Sequence, residues 1–106
     1  GRFKDENNTI IEYYNITSSA NSVKEINLQR FNSAIYDGDS IEVVEPIKLD
    51  GREASNIILE NANGNFTKYV SMINNGKLYV FKVTGDSFDS ITSDSINNVI
   101  NSTKIA

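Results

Sequence analysis

Two Asn-Gly pairs, Asn63-Gly64 and Asn75-Gly76, occur in one segment of the chain, residues 55–84. This dipeptide is the strongest short-range signal for a two-residue hairpin turn, because asparagine and glycine both tolerate the positive φ that such a turn requires. The residues around the two pairs are rich in β-branched and aromatic side chains, which favour strands. The sequence therefore predicts a three-stranded antiparallel meander here, and the rest of the fold must accommodate it.

Two-residue turns at both pairs also predict which residues face each other. The first turn would place Ile57 opposite Val70 and Leu59 opposite Lys68, and the second would place Val70 opposite Phe81. One face would then be apolar apart from one lysine, and it would carry Ile57, Leu59, Phe66, Lys68, Val70, Met72, Tyr79, Phe81 and Val83. The other face would be mixed, with Ile58, Glu60, Thr67, Tyr69, Ser71, Ile73, Leu78, Val80, Lys82 and Thr84. We expect the apolar face to be core and the mixed face to be partly covered.

The N-terminal part of the chain predicts a strand followed by a helix. Isoleucine and tyrosine cluster over Thr9–Ile16, and apolar side chains on both faces indicate an interior strand. Ser22 is followed three residues later by Glu25, a capping-box pattern that marks the start of a helix. We expect this helix to run to about Ile35 and to stop at the turn containing Gly38. Its apolar side is predicted to carry Val23, Ile26, Phe31 and Ala34.

A second strand is predicted over Ser40–Glu45, where apolar and polar residues alternate. Pro46 lacks an amide donor and therefore favours an edge position for this strand, which would continue to Leu49. Asp50-Gly51 marks a turn into the meander.

The C-terminal residues return to a helical period. Thr92 or Ser93 is the predicted cap of a last helix whose apolar residues are Ile96, Val99 and Ile100. Residues 102–106 are expected to form a short exit strand or tail. The elements together predict an α+β fold, namely an antiparallel β-sheet with a C-terminal three-stranded meander, flanked by helices on both faces.

Composition excludes several classes of function. The chain has 106 residues and a net charge of -4, and its ten basic residues are scattered, so neither nucleic acid nor an anionic membrane surface is an expected partner. It has no cysteine and no histidine, which removes disulfides, thiolate chemistry and the usual general base. No apolar run approaches the ~20 residues that a membrane-spanning helix needs.

Acidic residues form two candidate clusters. Asp37 and Asp39, with Glu42 and Glu45 nearby, are hard-cation ligands by chemistry, but their spacing does not match the EF-hand loop, and a solvated turn around Gly38 is the preferred interpretation.

The second cluster comprises Asp86, Asp89 and Asp94, and it could pair carboxylates for acid-base work. Its members are better explained by a loop position and by the positive end of a helix dipole.

Tyrosines 13, 14, 36, 69 and 79 could line a ligand surface, and Tyr69 stands out because it belongs to the mixed face. We assign no catalytic, cofactor-binding or metal-ligating residue from the sequence.

The order of elements resembles the PsbP-like family, which includes a photosystem II extrinsic subunit and a Ran-binding nuclear import factor. Three segments carry the likeness: Ile47–Ala54 before the meander, the hairpins through Tyr79-Val80-Phe81, and Ile100–Ile105 at the end. The resemblance implies one domain over residues 1–106, trimmed at its N-terminus relative to the family, with a sheet sandwiched between helices. It also implies binding of proteins rather than catalysis.

Two functions are therefore expected, and both lack a cofactor. The first is a non-enzymatic protein-interaction or accessory domain of a bacterial secreted or lipid-anchored protein, acting outside the cytoplasm as a monomer or weak dimer. The alternative is a module that binds a small molecule or a metal ion in a pocket between the mixed sheet face and a helix, near Tyr69.

Overall fold

The structure is a computed structural model, and it describes residues 2–4 and 9–102. Within these residues the strands are β1 Arg2–Lys4, β2 Ile10–Thr17, β3 Ser40–Leu49, β4 Arg52–Glu60, β5 Phe66–Asn74 and β6 Lys77–Gly85, and the helices are α1 Val23–Asp37, α2 Phe88–Ile91 and α3 Asp94–Asn101. The strands form one sheet in the order β1-β2-β6-β5-β4-β3, with antiparallel pairing throughout. The predicted α+β fold is confirmed, including the interior position of β2 and the edge position of β3.

The hairpin between β5 and β6 follows the predicted two-residue turn. Asn75 and Gly76 have φ of 54° and 75°, the positive values that this turn needs at both central positions. Val70 consequently lies opposite Phe81, as the turn predicts.

The hairpin between β4 and β5 differs from the prediction by one residue. Asn61 N donates to Asn65 O at 2.7 Å, and Gly64 N donates to Asn61 O at 2.9 Å, so the loop between the paired residues has three residues instead of two. Only Gly64 of this Asn-Gly pair has positive φ, at 89°, as in a type I turn closed by a glycine bulge. The predicted pairing of Ala62 with Asn65 is therefore wrong.

This shift turns β4 over relative to β5. Ile57 lies opposite Tyr69 and Leu59 opposite Thr67, which places both on the mixed face and not on the apolar face. Ile58 and Glu60 move to the other face for the same reason. The strand tolerates either register because its residues 57–59 are all apolar, so hydrophobic alternation does not select between the two.

Both faces of the sheet carry helices and buried residues. The face under α2 and α3 holds one continuous core of fully buried side chains: Ile11, Leu49, Ala54, Ile58, Val70, Met72, Phe81, Val83, Ile91, Ile96 and Ile100. The face under α1 holds two smaller clusters, one with Ala20, Ile26, Leu78 and Val80 and the other with Ala34, Ile57 and Leu59. The expectation that the second face is partly covered is confirmed.

Local signals explain the ends of α1. The Ser22 hydroxyl accepts a hydrogen bond from Glu25 N at 3.2 Å, and the Glu25 carboxylate accepts one from Asn21 N at 2.7 Å. Gly38 ends the helix with φ of 78°, and its N–H reaches the carbonyl oxygens of Ala34 and Ile35. The helix extends two residues beyond the predicted end at Ile35.

The remaining boundaries follow from caps and turns. Ser93 caps α3, as one of the two predicted residues. The short helix α2 was not predicted, because its reciprocal cap uses Ser87 and Ser90 in place of a serine and a glutamate. Ser102 forms the C-cap of α3, and the rest of the predicted exit segment, residues 103–106, lies outside the described residues.

Candidate functional site

Two contacts fix the rotation of α1 about its axis. The Ser55 hydroxyl of β4 donates to Asn27 Oδ1, and the Arg30 guanidinium lies 3.6 Å from the ring centroid of Tyr69 on β5. Since each residue turns a helix by about 100°, residues 28, 31 and 35 project on the side of Asn27 that faces away from Arg30. This side of α1 is directed toward β3.

An apolar surface lies along this side of the helix and continues onto the edge strand. Phe31 packs against buried Ile57 and Leu59, and the β3 residues directly opposite these two are Val44 and Ile41. We call the surface formed by Leu28, Phe31, Ile35, Ile41 and Val44 the edge surface. Its members are more exposed than core residues, at 51% for Leu28, 72% for Ile35, 40% for Ile41 and 44% for Val44.

The position of β3 explains why these side chains are exposed. Among the described strands β3 is the last of the sheet, so none of them extends the layer beyond Ile41 and Val44. Single exposed apolar side chains are normal on protein surfaces, whereas a contiguous group often marks a binding site. The edge surface is such a group, because it joins one helix flank to the adjacent strand.

The acidic residues that are close to the edge surface in sequence do not gather beside it in space. Residues 31–47 contain Asp37, Asp39, Glu42 and Glu45 and no lysine or arginine. The last turn of α1 carries no basic residue either, so the partial negative charge of the helix C-terminus is not offset there. Glu45, however, lies opposite Asn56 on the other face of the sheet. Asp37 and Asp39 line a cleft on the far side of α1, and Lys48 lies on the α1 face opposite Glu53.

A polar cleft lies on the same sheet face, on the other side of α1. Its volume is about 400 Å³, and we call it the Tyr69 cleft; its lining residues are Asp37, Asp39, Asn61, Ala62, Asn63, Thr67, Tyr69, Lys82 and Thr84. The floor consists of two cross-strand pairs, Thr67 with Thr84 and Tyr69 with Lys82. The loop between β4 and β5 and the C-terminal end of α1 form the walls.

Cations surround the tyrosine at the base of this cleft. Arg30 stacks on the ring of Tyr69, and the ammonium of Lys82 lies 6.0 Å from the ring centroid. The Arg30 contact is a cation–π interaction of close range, worth roughly 0.5–1 kcal/mol when partly exposed. The ring of Tyr69 therefore lies at the base of the cleft, between Arg30 of α1 and Lys82 of β6.

The first predicted acidic cluster is divided between different parts of the surface. Asp37 and Asp39 line the Tyr69 cleft, where Asp39 Oδ1 accepts a hydrogen bond from Ala62 N at 3.0 Å. Glu45 instead accepts a hydrogen bond from Asn56 Nδ2 at 2.8 Å. No group of three or more acidic side chains that could hold a metal ion occurs within the described ranges.

The second acidic cluster is also divided. Asp89 lies in the first turn of α2 and Asp94 in the first turn of α3, where negative charge is favourable to the helix dipole. Asp86 precedes α2 and is exposed. These positions agree with the expected roles in a loop and at helix N-termini.

The other tyrosines have different surroundings. Tyr13 packs on Phe81 with ring centroids 4.7 Å apart, and desolvation by burial, followed by the effect of Tyr79, raises its pKa. Tyr14 packs against the cluster that contains Leu78. Tyr36, by contrast, is 91% exposed on α1.

Lys68 is a buried basic residue on the core face, the face on which the meander register predicts one charge. Its ammonium donates to Asn97 Oδ1 at 3.2 Å, and Asn97 in turn donates to the Thr92 carbonyl oxygen at 3.4 Å. Burial lowers the pKa of Lys68, and the charge of Glu45 opposes that shift. The sequence could not show the hydrogen bond from Lys68 to Asn97 of α3, because the two residues are far apart along the chain.

Comparison with known proteins identifies the fold. A scan against protein-family models found no match, and a search of curated proteins found none either. A search of solved structures found similarity to the solution structure of cyanobacterial PsbP (CyanoP) from Synechocystis sp. PCC 6803. The TM-score is 0.63 at 15% sequence identity, over 95% of this chain and 70% of that chain.

The chain therefore has a PsbP-like fold, which confirms the resemblance found in the sequence. At this level of identity the similarity establishes the fold and no more. Among the described residues, no helix is both long enough and apolar enough to cross a membrane.

Proposed function

We propose that this chain is a non-enzymatic protein-interaction or accessory domain that binds another protein through the edge surface. The observation that carries the proposal is the continuity of exposed apolar side chains from Leu28 and Ile35 on α1 to Ile41 and Val44 on β3. Buried apolar area contributes about 25 cal/mol per Å², so covering these side chains would favour association. The domain would extend over residues 1–106.

The fold supports a binding role. A PsbP-like fold is not typical of enzymes, and the resemblance implies partners that are proteins. We further propose that the parent protein is bacterial and either secreted or lipid-anchored, acting outside the cytoplasm. This part of the proposal depends on the family resemblance and not on a contact in the structure.

Site-specific cross-linking tests the proposal. A photoreactive amino acid at position 35 should capture a defined partner in cells that produce the protein, whereas the same amino acid at position 99 on the opposite side of the sheet should not. Binding of the purified partner should then fall at least tenfold in Ile35→Asp. A partner that is captured equally at both positions, or that binds Ile35→Asp normally, would contradict the proposal.

The Tyr69 cleft supports a second candidate, a module that binds a small polar molecule. The specific observation is the convergence of Lys82, Thr84 and Asp37 on one preformed space beside Tyr69. A ligand at a hundred times its dissociation constant adds about 2.7 kcal/mol to the free energy of unfolding. A thermal-shift screen of sugars and small carboxylates should find a stabilising ligand whose effect is lost in Lys82→Met, and a screen without any shift would remove this candidate.

A further inference from the structure

We infer that Asn75 is a self-modification site: its side chain reacts with the backbone nitrogen of Gly76, loses ammonia and becomes aspartate or isoaspartate. The reaction needs no enzyme, and water is its co-reactant. The site lies at the turn between β5 and β6 and uses no residue of the edge surface or the Tyr69 cleft, so it is independent of the proposed function.

The covalent structure of an Asn-Gly pair makes the reaction possible. The glycine nitrogen attacks Cγ of the asparagine, so an N–Cγ bond forms and the Cγ–Nδ2 bond breaks. Ammonia leaves with the proton that the glycine nitrogen gives up, and a five-membered succinimide ring results. Water then opens the ring: cleavage of the new N–Cγ bond gives aspartate, and cleavage of the original peptide bond gives isoaspartate. Glycine has no Cβ to obstruct the attack.

Ring closure requires the turn to change its conformation. Asn75 lies in the left-handed region with φ of 54°, where the glycine nitrogen points away from Cγ. The asparagine must therefore rotate about its Cα–C bond before attack, and Asn63 in its type I turn has the same requirement. Hydrogen bonds that hold the two reacting groups oppose this rotation, because they have to break first. These bonds differ between the two Asn-Gly pairs.

Hydrogen bonds hold both reacting groups at the turn between β4 and β5. Gly64 N donates to Asn61 O at 2.9 Å, so the nitrogen that would attack is already engaged. Asn63 Oδ1 accepts from Asn65 N at 3.0 Å, which fixes the orientation of the carboxamide. Succinimide formation at Asn63 therefore requires both bonds to break.

Contacts from outside the turn restrain the same loop. Asp39 Oδ1 accepts a hydrogen bond from Ala62 N at 3.0 Å, and this contact joins the loop to the segment that follows α1. Thr67 Oγ1 donates to Asn61 Oδ1 at 2.7 Å, which joins the loop to the start of β5. Opening of this loop consequently disturbs contacts beyond the turn itself.

The turn between β5 and β6 is less restrained. Among the described residues no hydrogen bond involves the Asn75 side chain or Gly76 N, and both residues are exposed. Ser18 N donates to Gly76 O at 3.1 Å, but this oxygen belongs to the next peptide unit. The backbone freedom of glycine allows the Asn75 torsion to change while that contact persists. The attacking nitrogen and the carboxamide are therefore both accessible here.

The product alters a turn in the middle of the sheet. Hydrolysis adds one negative charge to a chain whose net charge is -4. Isoaspartate also inserts an extra carbon atom into the backbone between the paired residues Asn74 and Lys77. These residues end β5 and begin β6, the two central strands of the sheet. Isoaspartate at this turn should therefore lower Tm more than Asn75→Asp, which adds the charge alone.

Peptide mapping by mass spectrometry of the incubated full chain measures both Asn-Gly pairs in one sample. In the folded chain Asn75 should deamidate at least about fivefold faster than Asn63, because fewer hydrogen bonds have to break. In denaturing urea the two rates should become similar, since the reacting groups are then covalently equivalent and unrestrained. Fragmentation of the modified peptide should show isoaspartate beside aspartate.

Two pairs of variants test the cause of the difference. Asn75→Gln lengthens the side chain and should abolish the fast conversion, whereas the matched control Asn63→Gln should leave it unchanged. Asp39→Ala and Thr67→Val each remove one outer restraint on the first loop. Both should accelerate deamidation at Asn63 without changing the rate at Asn75, and circular dichroism confirms that the variants are folded.

Three results would overturn the inference. The first is conversion at Asn63 as fast as at Asn75 in the folded chain. The second is a rate difference that persists in urea, which would assign it to the neighbouring sequence and not to the turns. The third is a rate at Asn75 no higher than that of asparagines without a following glycine.

Discussion

The two faces of the sheet differ in how completely their helices cover them. On the α3 side, side chains from β2, β3, β4, β5 and β6 join residues of α2 and α3 in one continuous core. On the α1 side, two separate clusters lie under a single helix, with the edge surface on one flank and the Tyr69 cleft on the other. Stability therefore depends mainly on the first face, while the second face has surface available for binding.

The largest expected effect compares apolar truncations on the two faces. Phe81→Ala removes a buried ring that contacts Tyr13, and it should lower the free energy of unfolding by about 3–5 kcal/mol. Ile35→Ala truncates an exposed side chain and should change it by no more than about 0.5 kcal/mol. Urea denaturation of both variants measures the difference, and similar losses would contradict the division of roles between the faces.

Two glycines extend the comparison to the backbone. A Cβ at Gly85 would meet Ser90 Oγ and, at 2.8 Å, Ile91 Cγ2, so Gly85→Ala should cost about 1–3 kcal/mol through overpacking beside α2. At Gly38 the nearest atom to a Cβ is 3.9 Å away, and the cost of Gly38→Ala, about 1 kcal/mol, comes from its positive φ.

Asparagine distinguishes these two causes, because it adopts positive φ more readily than alanine. Gly38→Asn should recover part of the stability lost in Gly38→Ala, whereas Gly85→Asn should be no better than Gly85→Ala. Thermal unfolding monitored by circular dichroism gives the order of the four variants. A recovery at position 85 would show that packing against α2 is looser than the distances indicate.

A smaller effect is expected at the start of α1. Ser22→Ala removes the hydroxyl that accepts from Glu25 N, and loss of such a cap costs about 1 kcal/mol. Hydrogen exchange should increase mainly in α1 and leave protection of β5 and β6 unchanged. Equal loosening of both faces would mean that α1 is more tightly coupled to the core than its two clusters suggest.

The smallest expected effect is a change in the pH dependence of stability. Burial lowers the pKa of Lys68 in the folded chain below its ordinary value of 10.5, so the unfolded chain holds more protons in the interval between the two pKa values. Wild-type stability should therefore rise with pH in that interval, and this contribution should be absent in Lys68→Met.

The measurement is chemical denaturation across pH 7 to about 9.5 at constant ionic strength. This range ends below the ordinary pKa of tyrosine because the raised pKa of Tyr13 acts in the opposite direction. Above about 10 the unfolded chain loses that proton first, and stability falls. Identical pH profiles for wild type and Lys68→Met would show that the burial of this ammonium has no energetic consequence.

The two hairpins show how far the sequence determines the fold. At Asn75-Gly76 both residues adopt positive φ, and the strands on either side alternate well enough to specify the register. Asn63-Gly64 uses only the glycine in this way, and the apolar run at residues 57–59 fits either face. The same dipeptide therefore leads to different loops. The turn preference of Asn-Gly determines the strand register only where the alternation of the flanking strands supports that register.

The candidate sites were predictable to different degrees. Tyr69 could be singled out because the meander register places it on the mixed face with Lys82, and the cleft beside it lies on that face. The edge surface could not be predicted, since exposure of Leu28 and Ile35 depends on where the sheet ends relative to α1. Exposure at these two positions is determined by the tertiary arrangement, and helical periodicity alone does not predict it.

Pro46 and the irregular pairing of β3 have a consequence for behaviour at high concentration. Copies of a chain with an apolar border can join strand to strand and grow into fibres, unless the hydrogen-bonding groups at that border are interrupted. In this molecule the interruptions lie beside the exposed isoleucine and valine side chains. The exposed apolar side chains at this edge can therefore stay in contact with water without leading to strand-to-strand polymerisation.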